Sequence, residues 1–179
     1  MVLYRGSNVC LPAVVPRGAE VKIRTAIETD YPEILGIAEQ ERYLVRHTTY
    51  TYWLIQKMDP EAVLVADSNG EVTGFVAGIF DFQGPERSML VQIAISPTAR
   101  RTGLGRKLVE HFAARSLAKG KSSILLTISP KNSISEQFFE AIARDNHTVL
   151  RSLGTTGTLG GTLDEENLWE IILDASIHS

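Results

Sequence analysis

The chain has 179 residues, 44% of them apolar, enough to bury one sizeable core and within the usual size of a single domain. Its formal charge of -3 gives no overall basic field, so broad nucleic-acid binding finds no support and any anion site must be local. One cysteine, Cys10, excludes an internal disulfide and fits a reducing cytoplasm, and the four histidines are too scattered for a metal cassette.

Residues 1–20 read as a loosely held leader, because Arg5, Asn8 and two prolines interrupt its apolar runs and leave neither a signal peptide nor a membrane span. Residues 21–179 read as one domain. "VKIRTA" is a short strand. "DYPEILGIAEQERYL" follows as a helix with Asp30 as N-cap and Glu33 at capping-box spacing. A second, aromatic-rich helix, "TTYTYWLIQKM", stops before Pro60. "AVLVADSNGEVTGFVAGIF" holds two strands folded about Asn69-Gly70, a dipeptide that tolerates the positive φ of a tight hairpin, and "SMLVQIAIS" adds a third. The helix "LGRKLVEHFAARSLAKG" is closed by Gly120. The strand after it, "SSILLTIS", is expected parallel to "LVQIAI", since a strand-helix-strand unit crosses over. "SISEQFFEAIARD" is a further helix, and "HTVLRSL" and "NLWEIILD" are the last strands. The Gly/Thr-rich stretch between them, residues 154–166, is too long for a tight hairpin and reads either as an ordered lid or as a disordered connector.

The stretch "SPTARRTGLGRK" stands where a strand hands over to a helix. With no side chains at Gly103 and Gly105, backbone amides can converge on a concavity, and the helix N-terminus adds partial positive charge, which together make a phosphate cradle. Arg100, Arg101 and Arg106 add mobile positive charge suited to a diphosphate and a further phosphate. The lysine-bearing nucleotide loop is absent, and the dinucleotide fingerprint would need Gly or Ala at 108, where Leu108 stands. A plain turn is the other reading of the glycine pair.

Its neighbours add a resemblance. Arg100 to Gly105 has the form R-x-x-G-x-G, preceded by a strand and followed by an amphipathic helix, an apolar strand and "SPKNSISEQFFEAIARD". In that order the chain resembles the GNAT superfamily of N-acetyltransferases from about Val21 to Leu173. The resemblance implies an α/β (α+β) fold: a central mixed, mostly antiparallel sheet flanked by helices, splayed between the strands around 89–95 and 123–129. Acetyl-CoA would enter the split as cosubstrate. The main chain of Ile93, Ala94 and Ile95 would pair with pantetheine, and Gly103, Leu104, Gly105 and Arg106 would form the pyrophosphate loop with Arg100 and Arg101 beside it. Asn132 and Phe139 would lie at the pantetheine arm, with helix capping as the other role of Asn132.

Direct attack of an amine on a thioester needs no enzyme nucleophile. Many members of the superfamily use a tyrosine at the place of Phe139 as acid, and phenylalanine has no proton to give. Tyr50 and Tyr52 are the nearest replacements, with core packing as their other reading. Gln92 can orient a water but cannot act as a base. Glu166 reads as base or ammonium anchor, or else as part of a solvated acidic turn with Asp164 and Glu165. Several segments, among them "LVQIAISPTARRTGLGRKLV" and "HTTYTYWLI", resemble the diaminobutyrate-acetylating branch of the superfamily. Val45 and His47 depart from its pattern, replacing an Asp and an Asn, and Thr48 replaces a Ser. The expected acceptor is therefore a small amine or amino acid, diaminobutyrate-like, or a peptide N-terminal amine. A noncatalytic acyl-CoA-binding or sensor module is the alternative. Apolar positions near the second helix are compatible with a homodimer.

Overall fold

The computed structural model describes residues 21–157 and 164–173. The expected leader, Cys10 and residues 158–163 of the Gly/Thr-rich stretch lie outside these. Among the described residues seven strands, β1 (Val21–Thr25), β2 (Val63–Ser68), β3 (Glu71–Phe80), β4 (Arg87–Ile95), β5 (Ser123–Ile128), β6 (Leu150–Thr155) and β7 (Asn167–Ile172), form one sheet in the order β1-β2-β3-β4-β5-β7-β6. Every neighbouring pair is antiparallel except β4–β5, which is parallel. The helices are α1 (Tyr31–Glu39), α2 (Thr49–Met58), α3 (Leu104–Ala118) and α4 (Ser133–Asp145). Among the described residues no helix is long and apolar enough to cross a membrane.

Strand β3, between β2 and β4, is buried along nearly its whole length, because both of its faces are covered. Alternation sorts its side chains. Phe75 meets the ring of Tyr52 on α2 at 5.6 Å, whereas Phe80 stacks on Phe112 of α3 at 5.4 Å. The hairpin into β3 turns on Asn69 and Gly70, both at positive φ (55° and 90°), as the dipeptide required. Helix α3 ends as expected: Gly120 N–H reaches Leu117 O and Lys121 N–H reaches Ser116 O, which satisfies two of its last carbonyls.

Two local expectations are corrected. Asp30 does precede α1, but no capping box with Glu33 forms. A short 3-10 turn, Glu28–Asp30, comes first, and the Asp30 carboxylate accepts from Ile27 N–H at 2.8 Å and from Arg24 at 2.6 and 3.0 Å. Glu33 instead accepts from Val72 N–H at 2.8 Å and so ties α1 to β3. The helix also ends at Glu39 rather than near Leu44, and residues 40–44 bend away from it.

Arg24 holds Asp67 on β2 as well, at 2.8 Å, and so links β1, β2 and the entry to α1. Burial pushes the Asp30 carboxyl up, but Arg24 and the Ile27 amide outweigh it and hold it below the usual range; Arg24 and Gly70 N–H lower Asp67 likewise. A depressed carboxyl contributes stability above its unfolded-state pKa and loses it as pH falls through the folded one. Melting temperature is therefore expected to fall with pH below about 4. Arg24→Leu should flatten that dependence, which a series of thermal melts would reveal.

Candidate functional site

The β4–β5 ladder runs only from Arg87↔Ser123 to Leu90↔Leu126. Beyond it β4 continues to Ile95, paired with β3 on one edge through Val76↔Ile93, Phe75↔Ala94 and Gly74↔Ile95. On the other edge the sheet is forked. An irregularity coincides with the fork: Ala77 faces Gln92 while Gly78 faces Leu90, so Val91 is an extra residue, a β-bulge.

A cleft of about 830 Å³ opens at this fork. One wall is Ile93, Ala94 and Ile95; its foot is the turn from Ala99 through Arg100, Arg101, Gly103, Leu104, Gly105 and Arg106. The start of α4 supplies Asn132, Ile134, Ser135 and Phe138, and the bend after α1 supplies residues 40–44. The structure thus gathers ten of the eleven residues expected at the cofactor along one cavity. The eleventh, Phe139, is buried in the core at 3% exposure, and its neighbour Phe138 lines the cleft instead. The helical period explains the exchange: Phe139 falls on the stripe of Ile142 and Ala143 that α4 buries, and Phe138 falls beside it.

The turn is shaped for an anion. Arg101 and Gly103 sit at φ 62° and 82°, and the first bond of α3 runs from Lys107 N–H to Gly103 O at 3.2 Å. The amides of Leu104, Gly105 and Arg106 therefore have no carbonyl partner within the helix and present N–H groups at its positive end. A Cβ on Gly105 would stand 3.3 Å from the Phe138 ring, so glycine lets the base of α4 close against the turn. The arginines are less free than expected. Arg100 pairs with Glu41 at 2.7 Å and donates to Ile95 O at 3.2 Å, and Arg106 pairs with Asp145 at 2.6 Å. Arg101 is exposed and makes no ion pair among the described residues. Asn132 caps α4, its Oδ1 accepting from Ser135 N–H at 3.2 Å, while it also lines the cleft.

The three residues expected in the chemistry are spread out, and none lines this cavity. Tyr50 is 63% exposed and stacked on Trp53 at 5.5 Å. Tyr52 is 1% exposed, and its hydroxyl donates to Gln92 Oε1 at 2.8 Å. Burial pushes that phenol up to about 12. Beside it the His47 imidazole, edge-on to Tyr52 at 6.3 Å, is pushed down by burial. Glu166 is half-buried next to β7, and its backbone pairs with Thr156. Sequence reasoning missed residues 40–44 because the apolar pattern ran on past the end of α1. It missed the reach of Gln92 because nothing in an alternating strand marks a bulge.

A forked strand edge offers unpaired peptide groups to an extended ligand, and a helix N-terminus at its foot grips the ligand's anionic end. Together they suit a long, diphosphate-bearing ligand. The chain belongs to the acetyltransferase (GNAT) family, whose sequence profile matches residues 27–143. An L-2,4-diaminobutyric acid acetyltransferase of Nocardia farcinica is 35% identical over 115 residues, covering 64% of this chain and 60% of that protein. Its namesake from Chromohalobacter salexigens is 36% identical over 125 residues, 68% of this chain and 65% of that one. The match spans less than two thirds of either relative. Among solved structures, the diaminobutyrate acetyltransferase of Paenibacillus lautus, in complex with L-2,4-diaminobutyric acid and coenzyme A, gives a TM-score of 0.77 at 21% identity. That superposition covers 87% of this chain and 96% of that one, a likeness of fold.

Proposed function

We propose that this protein is an acetyl-CoA-dependent N-acetyltransferase whose acceptor is a small amino acid of the L-2,4-diaminobutyrate kind. The observation that carries the reading is the alignment of two features in one cleft: the edge of β4 at Ile93–Ile95 beyond its last rung with β5, and the amides of Leu104–Arg106 at its foot. The residues present fit the cosubstrate. The amides and Arg101 would take its diphosphate, and the strand edge would pair with its pantetheine amides. A β4 N–H would meet the thioester carbonyl, on which negative charge grows as the amine adds. Acetyl-CoA supplies the activated acyl group. The amine nitrogen forms the new bond to the acyl carbon, the carbon-sulfur bond breaks, the sulfur leaves as thiolate, and the proton lost by nitrogen balances it.

Tyr52 serves in this scheme as a holder, since its proton is committed to Gln92 and its raised pKa keeps the hydroxyl neutral. Tyr50 and Glu166 stand as the candidates for moving protons. The acceptor identity follows the relatives named above.

The test is release of free thiol from acetyl-CoA across L-2,4-diaminobutyrate, other diamines, single amino acids and short peptides. Turnover is expected with L-2,4-diaminobutyrate above the rest, and with Tyr50→Phe and Glu166→Gln turnover should fall more than coenzyme A affinity. A preference for peptides would move the acceptor to an N-terminal amine. Coenzyme A binding without any thiol release would leave a noncatalytic acyl-CoA module.

A further inference from the structure

The parity of β4 changes at its bulge. Ser88 points to α3, where its hydroxyl meets Ser116 Oγ at 2.9 Å. Gln92, four residues on and of the same parity, points to the opposite face and meets α2. The extra residue, Val91, accounts for the reversal, since a bulge shifts every side chain beyond it to the other side of the sheet. Gln92 is consequently re-aimed behind the cleft wall formed by its neighbours Ile93 and Ala94. It is 3% exposed and both ends of its amide are used. Oε1 accepts from Tyr52, and Nε2 donates to Val45 O at 2.6 Å.

Val45 immediately follows the 40–44 segment that forms the facing wall. That segment has a second anchor, Glu41 on Arg100, at the phosphate end of the cleft. Its polar attachments therefore stand one at each end, an ion pair beside the anion turn and the Gln92 amide at the fork, with Leu44 packed against the core between them. The bond at the fork is part-buried, but its donor side, the Gln92 amide, is buried, and leaving that Nε2 unpaired costs more than loosening a surface ion pair, so the fork end is the firmer of the two.

We infer that Gln92 is a positioning residue for the acceptor: by tying Val45 O to β4 beside the fork, it fixes the 40–48 segment at the distance from the strand edge that places the attacking amine. The inference rests on the acetyltransferase reading and adds to it a side chain that touches neither substrate. Gln92 takes no proton. It acts through the backbone of Val45, whose carbonyl can only accept and so fixes which way the amide faces, while Tyr52 satisfies the remaining Oε1.

The test compares Gln92→Leu, Tyr52→Phe and the double variant Tyr52→Phe/Gln92→Leu with the unaltered protein. The double variant makes both buried partners apolar, so it is expected to fold even if Gln92→Leu, which strands the tyrosine hydroxyl, does not. Three quantities are read: kcat/KM for L-2,4-diaminobutyrate, calorimetric affinity for coenzyme A, and the rate of tryptic cleavage after Arg42 and Arg46, both exposed in the segment. In the double variant kcat/KM should fall about tenfold or more and cleavage should quicken, while coenzyme A affinity stays within about twofold. Tyr52→Phe alone, which leaves the Val45 bond, should change cleavage little. Unchanged kcat/KM in a folded double variant, or unchanged cleavage, overturns the inference. If the unaltered protein releases no thiol with any acceptor, the acetyltransferase reading is what falls, and the cleavage rates still decide whether Gln92 holds the segment.

Discussion

Gly103→Val is expected to weaken coenzyme A binding at least about a hundredfold, by the loss of two or more charge-assisted hydrogen bonds worth about 1.5–3 kcal/mol each. Gly103 sits at φ 82°, and a Cβ built there meets nothing within 4 Å. The effect therefore does not come from a clash. It comes from the backbone, because a β-branched residue in the left-handed region is strained and relaxes by rotating away from it. Rotation there turns the Leu104, Gly105 and Arg106 amides off their common focus. Asparagine tolerates this conformation far better, so Gly103→Asn is the control and should stay within about thirtyfold of the unaltered protein, strain alone being at most about 1–2 kcal/mol. Isothermal calorimetry with coenzyme A separates the two. Equal affinity for all three proteins would mean that the turn does not grip the diphosphate.

Phe112→Ala is the second large expectation, this time on stability. Phe112 is fully buried on α3, stacked on Phe80, and its ring occupies the space that Gly78 leaves on β3, where a Cβ would lie 2.2 Å from ring atom Cζ. Truncation empties the contact between α3 and the middle of the sheet and should cost about 3–5 kcal/mol. That corresponds to a fall in melting temperature of roughly 10 °C for a chain of this size. The converse change, Gly78→Ala, overfills the same place and is destabilising too, since Met89 O as well as the ring stands within 3 Å. Thermal melts of both variants check the pair. A melt for Phe112→Ala within a few degrees of the original would show that the sheet and α3 close up around the missing ring.

Much of this is legible in the sequence itself. Asn69-Gly70 announced its hairpin, Gly120 its helix end, and the glycine turn its amides, because each depends on backbone chemistry confined to a few adjacent residues. What resisted reading depends on contacts distant in sequence. Asp30 was a sound cap by local rule, but Arg24 from β1 claimed its carboxylate. Arg100 and Arg106 looked like free charges until Glu41 and Asp145 arrived from other elements. Phe138 and Phe139 differ by one position on a helix, and only the packing partner decides which of them faces the cleft. The role of Gln92 was hidden for a related reason: one unpaired residue upstream reversed its direction, and sequence alternation carries no mark of that.

The single parallel pairing has a consequence for the molecule as a whole. Strands β1 to β4 make one antiparallel block and β5, β7 and β6 another, and the two meet along four rungs between β4 and β5 with α3 as the covalent link. Such a seam is short for the area it joins. In the proposed complex a ligand pairing with the β4 edge beyond Leu90 would lengthen that seam, so binding is expected to stiffen the join between the two blocks.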